Sequence, residues 1–385
     1  MAQSSVKTKV PGIYRRGSGY AYVVSLGRDP ESRRLHQKWV GGFDTLAEAK
    51  SARTRALADL ERDAYVPPTK LTFGEFIEKQ WLPAQRSRVR VGTMNLYLLN
   101  WQRTKRHLGN VRLRSINPAR LQALYADLLV SGGKDHRPLS ARSVQIVHAF
   151  LHRSLADAAR WGIIQRNPAD LVDRPSAPRP EIQAWTPGQV REFLAHVSEH
   201  RLAPLWRLIA TTGLRRGEAL GLRWADLDLD HARLSVQQSL VSVIGGPKFN
   251  EPKTLNARRS IDLDAETVTK LRRWRVRLAE EQLSAGEAWD RSGLVFVDEI
   301  GRPLNPHTVT RVFCRLAAEA KLPPIKLHGL RHSHATAMLA AGISPKIAQE
   351  RLGHFSVSLT LDTYSHTIAG MQAEAARQVA ALLDE

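Results

Sequence analysis

The stretch His328-Gly-Leu-Arg331-His-Ser-His-Ala-Thr336 decides the fold of the segment around it. His328 and Arg331 stand at i and i+3, on one face of a helix, and the apolar Ala335, Met338 and Leu339 carry the same period onward. Moving outward, Thr211-Thr-Gly-Leu-Arg215-Arg-Gly-Glu218-Ala-Leu-Gly-Leu-Arg-Trp224 joins a glycine-containing bend to a helical turn that brings Glu218 within reach of Arg215. Alone, that pair reads as a surface ion pair. On the other side, Leu352-Gly-His354 and Leu361-Asp-Thr-Tyr364-Ser-His366 put further polar groups into apolar surroundings. Thr186-Pro187, an N-cap followed by proline at the first helical position, opens this region. The pattern then stays mostly helical, with β-like stretches at 234–243, 258–263 and 294–297. Over 183–385 the expectation is an α-rich domain with a small antiparallel sheet.

Toward the N-terminus, breakers mark two boundaries. Asp173-Arg-Pro-Ser-Ala-Pro-Arg-Pro180 has the proline density of an extended connector, and Pro67-Pro68 closes an earlier segment. Between them, residues 71–175 read as four helices. The first begins at the capping box Thr72-Phe-Gly-Glu75, and the others cover 94–108, 118–130 and 139–161. In the last helix Val144, Val147, Phe150, Leu151, Leu155 and Ala158 form a core stripe, with Arg142, Arg153 and Arg160 mostly off it. Residues 1–66 read as a three-stranded sheet: a hairpin from 19–26 and 33–40, with a short strand near Ile13. A helix follows, opened by Thr45-Leu-Ala-Glu48. The whole is mainly α with small β-sheets, an α+β chain of three domains.

The chain carries 57 Lys+Arg against 37 Asp+Glu, a formal charge of +20. Residues 1–70 hold +6, residues 71–180 hold +11 and the remainder +3. An excess concentrated over a hundred residues repels itself unless an anion is bound, so a polyanionic partner is expected. No long apolar run or signal-peptide pattern points to a membrane, so a soluble, cytoplasmic, nucleoid-associated chain is expected. Cys314 is the single cysteine, which excludes an intramolecular disulfide framework. His328, His332 and His334 lack a His-Glu-x-x-His spacing or a cysteine partner, and no metal is expected.

In order along the chain, Arg215, His328-x-x-Arg331, Leu-Gly-His354 and Tyr364 resemble the signature of the tyrosine recombinases. Glu251-Pro-Lys253-Thr254, ahead of the strand-like 258–263, is similar to the family's lysine-bearing β-turn; Lys248 is the competing candidate. The three segments also resemble integrases of the lambda class. That likeness implies an arm-type DNA-binding domain (1–66), a core-binding domain (71–175) and a catalytic domain (183–385).

The resemblance implies Tyr364 as nucleophile, Arg215 and Arg331 on the phosphate, and Lys253 as proton donor. It also implies His328 as general base, His354 as a phosphate hydrogen-bond donor and Glu218 as the group orienting Arg215 or His328. These roles suit metal-free phosphodiester cleavage, where forked, permanently charged guanidiniums match the phosphate oxygens and a covalent ester stores the bond energy. No cofactor is then needed. Arg142, Arg153 and Arg160 become DNA-contact candidates and Arg216 a contact to DNA or solvent. His332, His334 and His366 are read as structural, and Trp185, Trp206 and Trp224 as packing.

The implied partners are double-stranded core and arm attachment sites, a homotetramer on paired sites, an excisionase and a host DNA-bending protein. An amphipathic stretch at 368–383 is expected to dock on a neighbouring subunit. Integration or excision of an element such as a prophage is the expected activity. A chromosome-resolution recombinase, a type IB topoisomerase-like enzyme and an inactive DNA-binding regulator are the alternatives.

Overall fold

A computed structural model of the chain describes residues 5–28, 35–61, 70–178, 183–243, 246–250 and 259–353, with Ser356, Val357, Arg377, Ala380 and Leu383 beyond them. The chain divides into two compact units, Met1–Pro178 and Arg179–Glu385. The boundary expected at Pro67-Pro68 lies outside the described residues.

The first unit opens with an antiparallel sheet of β1 (Ser5–Lys7), β2 (Ile13–Arg16), β3 (Gly19–Arg28) and β4 (Leu35–Phe43), paired in chain order. Four strands replace the three expected. β1 escapes a hydrophobic-pattern reading because all three of its residues are exposed; backbone pairing from Ser5↔Arg16 to Lys7↔Tyr14 holds it. Ile13, Tyr22 and Val24 pack from the sheet against Ala49 and Ala56 of α1 (Leu46–Glu61). At the start of α1, Glu48 donates its backbone N–H to Thr45 Oγ1 at 3.2 Å. Its carboxylate accepts from Asp44 N–H, one residue before the partner that a capping box would use.

The helical part has a core of its own. α2 (Phe73–Glu75) runs through a π-helical segment (Phe76–Trp81) into α3 (Leu82–Gln85), followed by α4 (Val91–Leu108), α5 (Pro118–Ser131) and α6 (Ala141–Arg160). Here the capping box is complete, with Glu75 N–H on Thr72 Oγ1 and Thr72 N–H on the Glu75 carboxylate. Phe73, Phe76, Trp81, Trp101, Val147 and Phe150 fill the space between these helices.

The second unit contains α7 (Pro187–His196), α8 (Ala203–Thr212), α9 (Arg216–Leu220), β5 (Leu227–Asp228), β6 (Arg233–Val236), β7 (Ser239–Val243), β8 (Gly246–Asn250) and β9 (Arg259–Asp262). The helices α10 (Ala265–Ala285), α11 (Pro306–Glu319), α12 (Leu327–Ala340) and α13 (Pro345–Leu352) follow. Thr186 caps α7 through Gln189, as its Thr-Pro start requires. The β-like stretch 234–243 splits at Gln237-Gln238 into β6, in the antiparallel sheet β5-β6-β9, and β7, in a hairpin with β8. The stretch 294–297 forms no strand. Leu294 and Val297 each make one isolated bridge, and all four residues are buried, so the apolar run reflects enclosure rather than sheet pairing. Trp185, Phe193, Trp206 and Phe313 anchor this core, with Trp224 packed at its edge. Among the described residues, no helix is long and apolar enough to cross a membrane.

Candidate active site

α8 ends at Gly213, whose φ of +66° suits glycine and where a Cβ would lie 2.7 Å from Leu352 Cδ2 and 2.8 Å from His334 Cδ2. That bend delivers Arg215 to the N-cap of α9. Glu218, one turn later, accepts the Arg215 backbone N–H at 2.9 Å and Arg215 Nη1 at 2.7 Å. From β9, Arg259 adds Nη2 at 2.9 Å and Nη1 at 3.3 Å to the same carboxylate. Burial alone would raise the Glu218 pKa, but the Arg259 hydrogen bonds and charge, reinforced by Arg215, hold it at about 2. The expected Arg215–Glu218 pair is therefore part of a three-residue network, whose third member, Arg259, the sequence reading missed.

The second anchor is the carboxyl end of α13. The last carbonyls of a helix have no partners within it, and here three in succession are taken by guanidiniums from three different elements. Arg259 Nε donates to Arg351 O at 2.8 Å, Arg331 Nη2 to Leu352 O at 2.7 Å and Arg215 Nη2 to Gly353 O at 3.0 Å. Arg331 Nη1 also donates to Gly213 O at 2.7 Å, so this buried residue of α12 ties both glycine bends together. Gly353 ends α13 at φ +64°. His354 follows it directly in the chain.

His328 lies one turn before Arg331 on α12, its ring edge-on to His332 at 4.8 Å between centroids. Part of His328 is exposed. The surrounding protein nonetheless strips enough water from the ring that desolvation, followed by the charges of His332, Arg331 and Arg215 and only partly offset by Glu218, lowers its pKa to about 4. It is neutral at neutral pH and able to accept a proton. His334 is also held at about 4, by burial and by Arg351. Arg351 Nε donates to His334 Nε2 at 3.3 Å and Arg351 Nη2 to Thr211 O and Asp262 O at 3.1 Å, bracing α13 against α8 and β9.

The structure thus brings Arg215, Glu218, His328 and Arg331 together. Lys253, His354 and Tyr364, together with His366, lie outside the described residues, as does most of 368–383. The rival Lys248 sits exposed on β8, opposite Val241. Arg216, half-buried, donates from Nη1 to Thr310 Oγ1 at 2.7 Å and Pro306 O at 3.1 Å, pinning α9 to α11. In the first unit Arg142, Arg153 and Arg160 are exposed on α6, and Arg153 and Arg160 both pair with buried Asp157.

Residues 184–370 match the family model described as the phage integrase family. A XerC-like tyrosine recombinase of Caldanaerobacter subterraneus is 26% identical over 91% of this chain and 92% of its own length. The ICEBs1 integrase of Bacillus subtilis is 29% identical over 64% of this chain and 67% of its own. Among solved structures, the Tn1549 transposon integrase in complex with transposon right end DNA superposes with a TM-score of 0.63 at 22% identity. That match covers 79% of this chain and all of the other.

Proposed function

From the premise that this chain belongs to the phage integrase family of tyrosine recombinases, enzymes that break and rejoin DNA site-specifically, we propose that it is the integrase of a mobile element such as a prophage, cutting duplex attachment sites through Tyr364. The observation carrying this reading is the convergence of Arg215 and Arg331 on successive carbonyls, Gly353 O and Leu352 O, immediately before His354. Two fixed guanidiniums beside a neutral imidazole form a cationic seat for a phosphodiester and a base for a phenol.

In the proposed mechanism His328 takes the Tyr364 proton and the phenolate attacks phosphorus. The bond to the 5′-oxygen breaks as Lys253 protonates it, leaving a 3′-phosphotyrosyl ester and a free 5′-hydroxyl. Arg215 and Arg331 hold the non-bridging oxygens, His354 donates to one of them, and Glu218 fixes Arg215. A 5′-hydroxyl from another strand then attacks the ester and releases the tyrosine. Exchange between two duplexes requires four such cuts, hence a homotetramer on paired core sites. Residues 1–66 would hold the arm sites, and an excisionase and a host DNA-bending protein would set direction within the nucleoid. The XerC-like relative favours a second reading, chromosome resolution; the separate sheet-and-helix module at 5–61 favours integration.

A nicked suicide duplex tests the site. Arg215→Ala and Arg331→Lys should each lose at least about 10²-fold in cleavage rate, the scale for removing a preorganised donor. Normal cleavage by either variant would contradict the assignment.

A further inference from the structure

Arg259 belongs to none of the roles above, yet all three of its nitrogens donate inside the site. Its side chain is only 6% exposed, and its Nη1 and Nη2 both donate to the Glu218 carboxylate. Nη1 and Nη2 clamp Glu218, Nε holds Arg351 O, and a Cβ on Gly353 would lie 2.8 Å from Nη1, so the guanidinium also packs against the αL residue ahead of His354. Its backbone is fixed by pairing with Val236 in the three-stranded sheet. A single planar cation therefore joins a rigid strand to the two elements that aim Arg215: the Glu218 carboxylate and the carbonyl end of α13.

We propose that Arg259 is a positioning residue for strand cleavage, holding Arg215 in register through Glu218 and fixing the end of α13 that leads into His354. This rests on the reading of Arg215 as a phosphate ligand. A buried ion pair can also be mere scaffolding, replaceable by packed apolar groups. The two cases separate by titration. Among the described residues, the charged and titratable groups facing Glu218 are Arg215 on its own turn, Arg259 from β9 and His328 from α12. With Arg259 removed, Arg215 is the remaining cation named against burial among the described residues, and the Glu218 pKa must rise. The orienting carboxylate is then lost by protonation at a pH where the native enzyme keeps it.

The test is single-turnover cleavage of a nicked suicide duplex by the full chain at saturating DNA, from about pH 5 to 8. It compares native protein, Arg259→Met, Glu218→Gln and the double variant. Arg259→Met should cleave roughly 10- to 100-fold more slowly at pH 7, the scale for sub-ångström misplacement of a reacting group. DNA affinity should be unchanged, and a new acid limb absent from the native profile should appear. Adding Glu218→Gln should abolish that limb with no further loss of rate. Native cleavage by Arg259→Met, or single losses that simply multiply in the double variant, would overturn the proposal. If Arg259→Met fails to fold, the double variant, which buries no unpaired carboxylate, decides alone: native cleavage by it refutes the role. Arg215→Ala with normal cleavage would instead refute the underlying reading, whereas an inactive Arg215→Ala beside a fully active Arg259→Met refutes only this inference.

Discussion

His328 and His334, on the same helix, both titrate near 4 instead of near the usual 6.5, and this gives the second unit an acid sensitivity of defined sign. As pH falls below 6.5 the unfolded chain binds these two protons, while the native state does not until about 4, so stability declines across that window and these groups add nothing further below it. Glu218 acts in a different range. Held at about 2, it contributes stability above its ordinary pKa of 4.5 that is lost as pH falls from there toward 2. Thermal unfolding from pH 7 to 4 should show a progressive loss that His334→Gln makes shallower; an unchanged slope in the variant would remove His334 from this account. At this scale the spacing of Arg215 with Glu218 and of His328 with Arg331 was readable because helical period alone puts each pair on one face. Arg259 left a fainter sign. It shares a strand face with buried Ile261, so it is a cation at an inward-facing position, which implies a buried partner without saying which one.

On helix α6 two of the arginines proposed to contact DNA also meet a buried carboxylate. Arg142, Arg153 and Arg160 are eleven and seven residues apart, close to whole numbers of turns, and so form one exposed stripe. Arg153 and Arg160, however, neutralise Asp157, a carboxylate 2% exposed that also accepts Trp81 Nε1 at 2.8 Å and Gln85 Nε2 at 3.1 Å. Asp157→Leu should therefore destabilise the helical core by about 2–4 kcal/mol, since each abandoned buried donor costs about 1–3 kcal/mol. Chemical denaturation checks this, and a variant as stable as the native protein would refute it. The Arg142 side chain donates from Nη1 to Gln145 Oε1 at 2.9 Å on the exposed face, so Arg142→Ala should leave the unfolding midpoint unchanged. It should lower the slope of log K against log salt by about 0.9 if it neutralises one phosphate. An unchanged slope would mean that it does not contact DNA. Helices were legible because caps and a 3.6-residue period coincide, as at Thr72 and Thr186. β1 and 294–297 were misread because an exposed edge strand shows no alternation and an enclosed apolar run mimics a strand.

Across the whole chain, residues 1–180 carry +17 of the +20 net charge, and the proposed function assigns them to holding DNA and the remainder to cutting it. A fragment beginning at Lys70 keeps the more charged portion, +11 over 71–180, and should retain a steep salt dependence and core-site cleavage. It should fail on a full attachment site for want of arm contacts. Footprints of residues 1–66 and of this fragment on the same base pairs would reject that division. The order of motifs made the chemistry legible from sequence, whereas the arginine clamp on α13 was not, because it joins residues from three elements far apart in the chain. The most direct test of the central claim is covalent trapping: native protein and Tyr364→Phe on a nicked core-site duplex, with the attached peptide identified by mass spectrometry. The account predicts a 3′-phosphoryl adduct on Tyr364 in the native protein and none with Tyr364→Phe at equal DNA binding. An adduct formed by the Phe variant, or one mapped to another residue, would contradict it.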